Sequence, residues 1–214
     1  MIKLLKKEFI LTASPITYAF LAFVFMAFVL NYPIALVGFF ICYGIFHTFQ
    51  FGREFNDITY TLILPVKKSD VVKSKFLFTI VIQMIAFVLL VGIVLLKMFV
   101  LPQDTSVENN LTNANLSFLG YVLLIYAIFN LVFLNMYFKS GVKIGVPFLV
   151  FAILSMLIIA VTVILPFIPA LSLLNTTYFN VYQFIPLGVG IVSYVGLTAI
   201  SLKASIKAFD KVDL

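Results

Sequence analysis

Charge is scarce in this chain, and so are the residues that most often do chemistry. Only 10% of the 214 residues are charged, where an ordinary globular domain has about 25%, while 64% are hydrophobic and the mean hydropathy is +1.20. These proportions exclude a water-soluble fold. One cysteine, Cys42, and one histidine, His47, exclude a disulfide framework within the chain and a dense thiolate or imidazole metal site. Structural zinc, haem and iron–sulfur chemistry fall with them. The patterns G-x-x-x-x-G-K-[ST], H-E-x-x-H and G-x-S-x-G are all absent, so no catalytic activity is expected of the chain.

What the chain has is apolar length. Runs long enough to cross a bilayer cover about 15–32, 33–51, 76–101, 116–138, 146–168 and 184–202. All six are expected to be helices. An open sheet would leave unpaired N–H and C=O groups in lipid, and the alternation of a barrel strand is missing. The expected fold class is therefore all-α, a polytopic membrane protein with one transmembrane domain over 1–214. The acidic residues Glu8, Glu54, Asp57, Asp70, Asp104, Glu108, Asp210 and Asp213 all lie outside these runs. Ion-coupled carriers and intramembrane enzymes keep ionisable groups at membrane depth, so energy for transport has to come from another subunit.

The net charge of +6 is distributed unevenly. Lys3, Lys6 and Lys7 precede the first span, Arg53, Lys67, Lys68, Lys73 and Lys75 follow the second, Lys139 and Lys143 follow the fourth, and Lys203, Lys207 and Lys211 form the tail. Only Lys97 approaches the other side, where its stem can snorkel to the headgroups. Such an excess sets topology and does not mark a nucleic-acid surface: both termini are expected to be cytoplasmic. With a single arginine beside so many lysines, the chain looks like an AT-rich bacterial product, so the cell membrane is its expected location.

Residues 1–14 place Ile2, Leu5 and Phe9 on one helical stripe, with Lys3, Lys6 and Lys7 elsewhere and Pro15 opening the first span. This reads as an interfacial helix. A cleaved signal is disfavoured, because Asn31-Tyr32-Pro33 lacks the small-residue cleavage pattern. On the outer side, Asn31-Tyr32-Pro33 makes a tight hairpin and Pro102 to Asn115 a polar loop. The apolar, proline-broken stretch 169–183 is expected to lie in or re-enter the interface. Three N-x-[ST] triplets, at Asn110, Asn115 and Asn175, are attributed to asparagine-rich composition. Inside the spans, Thr79, Gln83, Asn130, Asn135, Ser155, Thr162, Ser193, Thr198 and Ser201 are expected chiefly to hydrogen-bond between helices. His47 is expected to be packed, and Gly188, Gly190, Ser193 and Gly196 give the last span a small side suited to close contact.

The connection 52–75 is the most informative part of the chain. It opens on Arg53-Glu54-Phe55-Asn56-Asp57 and mixes apolar Leu62, Ile63, Leu64 and Val66 with both signs of charge, a composition suited to a protein partner. Pro65 should end a helix, and Ser69 should cap a short one leading into the third span.

In layout the whole chain resembles the permease subunit of ABC-2 type transporters. The resemblance rests on the basic interfacial helix, Glu54 after the second span, the stretch Leu64 to Phe76 (Leu64-Pro65-Val66-Lys67-Lys68-Ser69-Asp70-Val71-Val72-Lys73-Ser74-Lys75-Phe76), the six spans, the broken apolar segment and the basic tail. It implies a coupling helix within Arg53 to Lys75 that docks on a cytoplasmic ABC ATPase, with Arg53, Glu54, Asp57, Leu62, Pro65 and Ser69 as coupling residues. ATP and magnesium would be bound by that partner and no cofactor by this chain. A second permease copy, identical or paralogous, would complete a cavity lined by the second and fifth spans, with Phe39, Tyr43, Phe46, Ser155, Met156 and Thr162 as lining candidates. The segment 169–183 would be the outer re-entrant element. The small, lysine-rich form is most similar to Gram-positive peptide exporter permeases of the phenol-soluble modulin type, while related permeases handle antibiotics, lipid-like molecules or sodium. A secondary carrier or a non-transporting assembly subunit is the alternative class.

Overall fold

The computed structural model describes residues 2–29, 32–99, 112–176 and 178–212, and among these it contains helices and no strand. Most of the expected polar loop, Asn31 of the expected hairpin, the triplet at Asn110 and the last two residues of the tail lie outside the described residues. The helices are α1 (Ile2–Thr12), α2 (Pro15–Phe28), α3 (Leu36–Glu54), α4 (Asp57–Ile63), α5 (Lys68–Phe99), α6 (Leu116–Lys139), α7 (Gly145–Phe167) and α8 (Val181–Phe209).

Four of them, α5 to α8, are long and apolar enough to cross a bilayer, and a fifth crossing is reached only if α1 and α2, bent by 88°, count as one span. The six spans read from the sequence are not reached, for reasons of length and polarity. After one α-helical turn and a half, α2 tightens into a 3₁₀ stretch over Leu21–Phe28, and its 14 residues rise only about 25 Å against a hydrocarbon core of about 30 Å. Helix α3 is 19 residues long, and its second half carries His47, Thr48, Gln50, Arg53 and Glu54.

The bend between α1 and α2 is built locally. Ser14 caps α2 by accepting from the Ile16 N–H, and Pro15 follows at the first helical position. Thr48 of α3 accepts from the Ser14 N–H at 3.1 Å, and Thr17 donates to the Gly44 carbonyl at 2.6 Å, so the elbow is fixed to α3. Of the sequence-predicted stripe Ile2, Leu5 and Phe9, the last two turn inward, with Phe9 meeting Phe78 of α5 edge-on at 4.9 Å, whereas Ile2 is exposed together with Ile10 and Leu11. Burial of Leu5 and Phe9 against α5 outcompetes lipid for that face.

Helix α6 is the central element, with 67% of its apolar window buried, whereas α7 and α8 bury 22% and show apolar outer faces. Gly120 of α6 and Gly190 of α8 bring the two backbones together, since a Cβ on Gly190 would fall 2.5 Å from the Gly120 oxygen. Gly188 and Gly196 have open space beside them, so of the small residues in the last span Gly190 makes the contact. Below this crossing, α6 passes through a π-helical stretch, Phe129–Leu134, and a polar seam fills the joint. Gln83 and Asn130 exchange amide hydrogen bonds at 3.0 and 3.1 Å, Asn130 also donates to Thr198, Tyr194 donates to Gln83, and Ser201 donates to the Asn130 carbonyl. These bond between helices as expected, whereas Thr79, Ser155 and Thr162 return their hydroxyls to carbonyls of their own helices.

One end of the bundle gathers α1, the 55–67 connection, the turn at Gly141 (φ +66°) and the tail, where Lys68 donates to the Val212 carbonyl at 2.7 Å. This is the basic end. At the opposite end, Lys97 closes on α2: its ammonium donates to the Ala27 carbonyl at 2.7 Å and lies 5.6 Å from the Phe28 ring centre.

Candidate functional site

Helix α3 ends where Asn56 takes a left-handed conformation (φ 52°), a turn that asparagine tolerates better than most residues, and α4 starts at once. It stops at Ile63 because Leu64, preceding Pro65, is extended (ψ 155°). The seven residues between present two faces. Ile58 and Thr61 are buried and Leu62 packs against the core, whereas Tyr60, Ile63 and Leu64 are 66%, 75% and 55% exposed and Phe55 beside them is 60% exposed. Tyr60, Ile63 and Leu64, at helical spacing, expose apolar surface of the kind that marks an interaction site, and Phe55 is exposed just before the helix.

Of the sequence-predicted coupling residues, Arg53, Glu54 and Pro65 are exposed, with Glu54 accepting from Gln50 at 3.2 Å, and Leu62 is half-buried against the core. Ser69 is not a cap: α5 is continuous from Lys68, and the Lys67 carbonyl accepts from Asp70 and Val71, which puts Ser69 inside the first turn. Asp57 alone of the six enters an ionic cluster.

That cluster is the strongest electrostatic feature of the basic end. The Lys75 ammonium, on a side chain 3% exposed, lies 2.9 Å from Glu8 Oε2 and 2.9 Å from Asp57 Oδ2. Lys7 completes a square of alternating charge, 2.6 Å from Asp57 Oδ1 and 3.2 Å from Glu8 Oε1, the latter an ion pair by distance without hydrogen-bond geometry. Thr12 donates to Asp57 at 3.2 Å, and Lys7 donates to Thr61 at 2.7 Å. Burial pushes the Asp57 carboxyl up, but Lys75 and Lys7 outweigh it and hold its pKa below the ordinary value. With Glu8 and Lys75 buried and Asp57 and Lys7 part-buried beside them, two carboxylates and two ammoniums cancel one another, which is what makes the burial of Glu8 and Lys75 tolerable.

By sequence position alone, Lys75 falls among the loop charges, and Glu8 and Lys7 flank the first span. A signal was there: Lys75 stands on the helical stripe of Val71, Val72, Phe78, Thr79 and Ile82, all buried. A lysine on the buried stripe of an apolar helix calls for a carboxylate partner.

The cavity candidates separate into two groups. Phe39, Tyr43 and Phe46 form a half-exposed aromatic wall along α3, with Phe39 and Tyr43 stacked at 6.3 Å and Phe148 of α7 stacked on Phe46 at 4.1 Å. His47 joins this wall edge-on to Tyr43 at 4.7 Å and is packed among rings. On α7, Ser155 and Thr162 are buried against the bundle, while Met156 is 42% exposed. Thr162 borders a cleft at the far end with Ile34, Thr112, Asn115, Tyr121 and Asn175.

Between the α-helical parts of α7 and α8 the chain runs through 3₁₀ turns: Leu165–Phe167 ends α7, Pro169–Asn175 follows it, and Val181–Gln183 opens α8. Asparagines bind it to the start of α6: the Asn113 N–H donates to Asn175 Oδ1 at 2.8 Å, and the Asn115 amide donates to the Leu174 and Thr176 carbonyls. Gln183, fully buried, donates to the carbonyls of Thr176 and Tyr178. Asn115 also caps α6 and is 1% exposed, so it is not presented as a sugar acceptor.

A helical bundle with several bilayer-length apolar helices, a polar central seam and a basic end bearing an exposed apolar helix defines a multi-pass membrane protein. Comparison with protein families identifies which. Residues 3–210 match the model described as ABC-2 family transporter protein, and the chain belongs to that family, the membrane permeases of ABC transporters. Comparison with curated proteins and with solved structures finds no match.

Proposed function

We propose that this chain is the permease subunit of an ATP-driven exporter, energised by a separate cytoplasmic ABC ATPase that docks on α4, with both termini and the whole basic end cytoplasmic. The observation that carries the reading is the outward side of α4 and its flanks, where Tyr60 and Ile63 on the helix and Phe55 and Leu64 beside it are exposed at the basic end. An apolar face of this kind outside the hydrocarbon needs a protein groove. In this reading Arg53 and Glu54 flank the docked helix and meet the ATPase directly, the chain itself is not an enzyme, and ATP with magnesium is bound by the partner. Two copies, identical or paralogous, enclose the pathway; six crossings are completed by α2 and α3, with the bilayer thinned or the helices shielded by the second copy.

The aromatic wall of Phe39, Tyr43 and Phe46 supports an amphipathic peptide or another hydrophobic cargo, because rings without a carboxylate among them offer apolar contact and no charge selection for a small ion. Coexpression with an ABC ATPase tests the partnership: a complex lost on Tyr60→Glu and Ile63→Glu is expected, and flux driven by an ion gradient through the purified chain alone would favour a secondary carrier. For cargo, phosphate release by the complex in nanodiscs should rise with amphipathic helical peptides and not with sodium; the reverse result would assign an ion exporter.

A further inference from the structure

The outward side of α8 changes character once along its length. Ile185, Val189, Val192 and Ile200 stand on one stripe and are exposed, while the other side, from Gly190 through Ser201 to Phe209, is buried against the bundle. Lys203 and Lys207 continue the exposed stripe three and seven residues past Ile200, and both are exposed. Measured from Phe184, Lys203 stands about 28 Å along the helix axis and Lys207 about 34 Å. A hydrocarbon core of about 30 Å, with about 5–7 Å of headgroups on each side, puts both ammoniums in the headgroup layer.

The corner beside them is basic as well. Lys139 ends α6 and Lys143 precedes α7, both exposed, on a turn reversed by Gly141 and Val142 at φ 66° and 63°. Phe138 meets Phe209 edge-on at 5.3 Å and Gly141 lies beside Val212, so the turn is held against the end of α8. Among the described residues none of these four lysines pairs with a carboxylate. Asp210, exposed one turn beyond Lys207, lies about 39 Å along the axis, past the headgroups. Like charges one turn apart on a helix repel, and an anion between them removes that repulsion.

We propose that the basic end of α8, flanked by the 139–143 turn, is a docking surface for the headgroup of an anionic phospholipid, its phosphate between Lys203 and Lys207 and its acyl chains along Val192 and Ile200. Topology alone asks only for positive charge at this end; it does not ask for that charge on the one stripe that faces lipid. The partner is a lipid because the cations extend an apolar lipid-facing stripe at headgroup depth, where a soluble acidic partner would have to displace the headgroups themselves.

The experiment measures equilibrium binding of phosphatidylglycerol and of phosphatidylcholine, each with a fluorescent acyl chain, to the purified full chain in a neutral detergent. Phosphatidylglycerol should bind more tightly, and inorganic phosphate at the ionic strength of a chloride control should leave it in place. Lys203→Gln/Lys207→Gln should weaken its binding by about tenfold or more, since each lysine near an anionic lipid surface contributes about fivefold. Both side chains are exposed, so the helix signal in circular dichroism should melt as in the unaltered chain. Lys203→Arg/Lys207→Arg should keep the affinity, as should Lys67→Gln/Lys73→Gln, which removes two charges from the same end but off this stripe. Equal affinity for the two lipids, undiminished binding to Lys203→Gln/Lys207→Gln, or an equal loss in Lys67→Gln/Lys73→Gln overturns the proposal. Displacement by inorganic phosphate does so too, by assigning a free-anion site. No ATPase enters the measurement, so the permease reading stands or falls separately.

Discussion

Gly120→Ala should be among the most damaging single-methyl additions in this protein, and the reason is local. The Cβ it introduces would overlap the backbone of Pro186 and the Leu187 nitrogen, all main-chain atoms that no rotamer change can move. Restoring an ordinary carbon contact of about 3.5–4.0 Å requires α6 and α8 to part by roughly an ångström. The same parting stretches the Asn130 to Thr198 and Ser201 to Asn130 hydrogen bonds along that seam. Overpacking of this sort costs about 1–3 kcal/mol, and each weakened interhelical bond adds about 0.6 kcal/mol. For a chain of this length about 2–4 °C accompany each kcal/mol, so with both bonds counted Tm should fall by about 4–17 °C. Gly92→Ala is the matched control: nothing lies within 4 Å of its Cβ, and exchanging glycine for alanine within a helix gains up to about 1 kcal/mol. Circular dichroism at the helix band during heating, in detergent and again in nanodiscs, reads both. A Gly120→Ala protein melting with the unaltered chain, while Gly92→Ala behaves as described, would refute the close crossing of α6 and α8.

Acid should destabilise the basic end. Because the folded Asp57 carboxyl titrates below 3.8, its stabilising contribution is complete above that pH and is lost as the pH falls through the depressed folded value; thermal scans in that range should show the loss, and Asp57→Asn should remove it. Cysteine at Ser106 should label from outside the cell and cysteine at Lys211 only after permeabilisation, in a Cys42-free background; equal labelling of both by an impermeant reagent would overturn the topology. Gln183→Leu deletes the amide that holds Thr176 and Tyr178, so hydrogen exchange over 169–180 should accelerate while the central turns of α6 keep their protection.

The long apolar helices were legible because composition alone decides them: no soluble alternative exists for runs like those of α6 or α7, and their ends are marked by Asn115, Lys139 and Pro147. Where the sequence reading overran, the cause was that hydropathy does not report backbone rise or direction. Nothing in Leu21–Phe28 announces a 3₁₀ stretch, and Pro15 marks the start of α2 without telling that the chain has turned by 88° to reach it. The polar residues of the spans were rightly read as interhelical glue in the case of Gln83, Asn130, Thr198 and Ser201. Sequence spacing could not tell that Ser155 and Thr162 would bond back to their own helix, since a hydroxyl three or four residues past a carbonyl always has that option.

The site divides along the same line. Asp57, Leu62 and Pro65 could be picked out because a short, proline-terminated, mixed-charge segment between two spans has few structural uses, whereas the partners of Asp57 lie 18 and about 50 residues away in sequence. Their recognition needs a rule that works across that gap. Insertion of a charge into a membrane protein core is unfavourable enough that an ammonium on a buried stripe implies an anion within reach. Among the described acidic residues, Glu8 and Asp57 have the least exposed side chains, and Lys75 is where they converge. The helix-periodic burial of a single lysine is thus the feature that joins the N-terminal segment to the connection before α5, and the strength of that joint, set by four charges and not by any covalent link, makes it open to replacement one pair at a time.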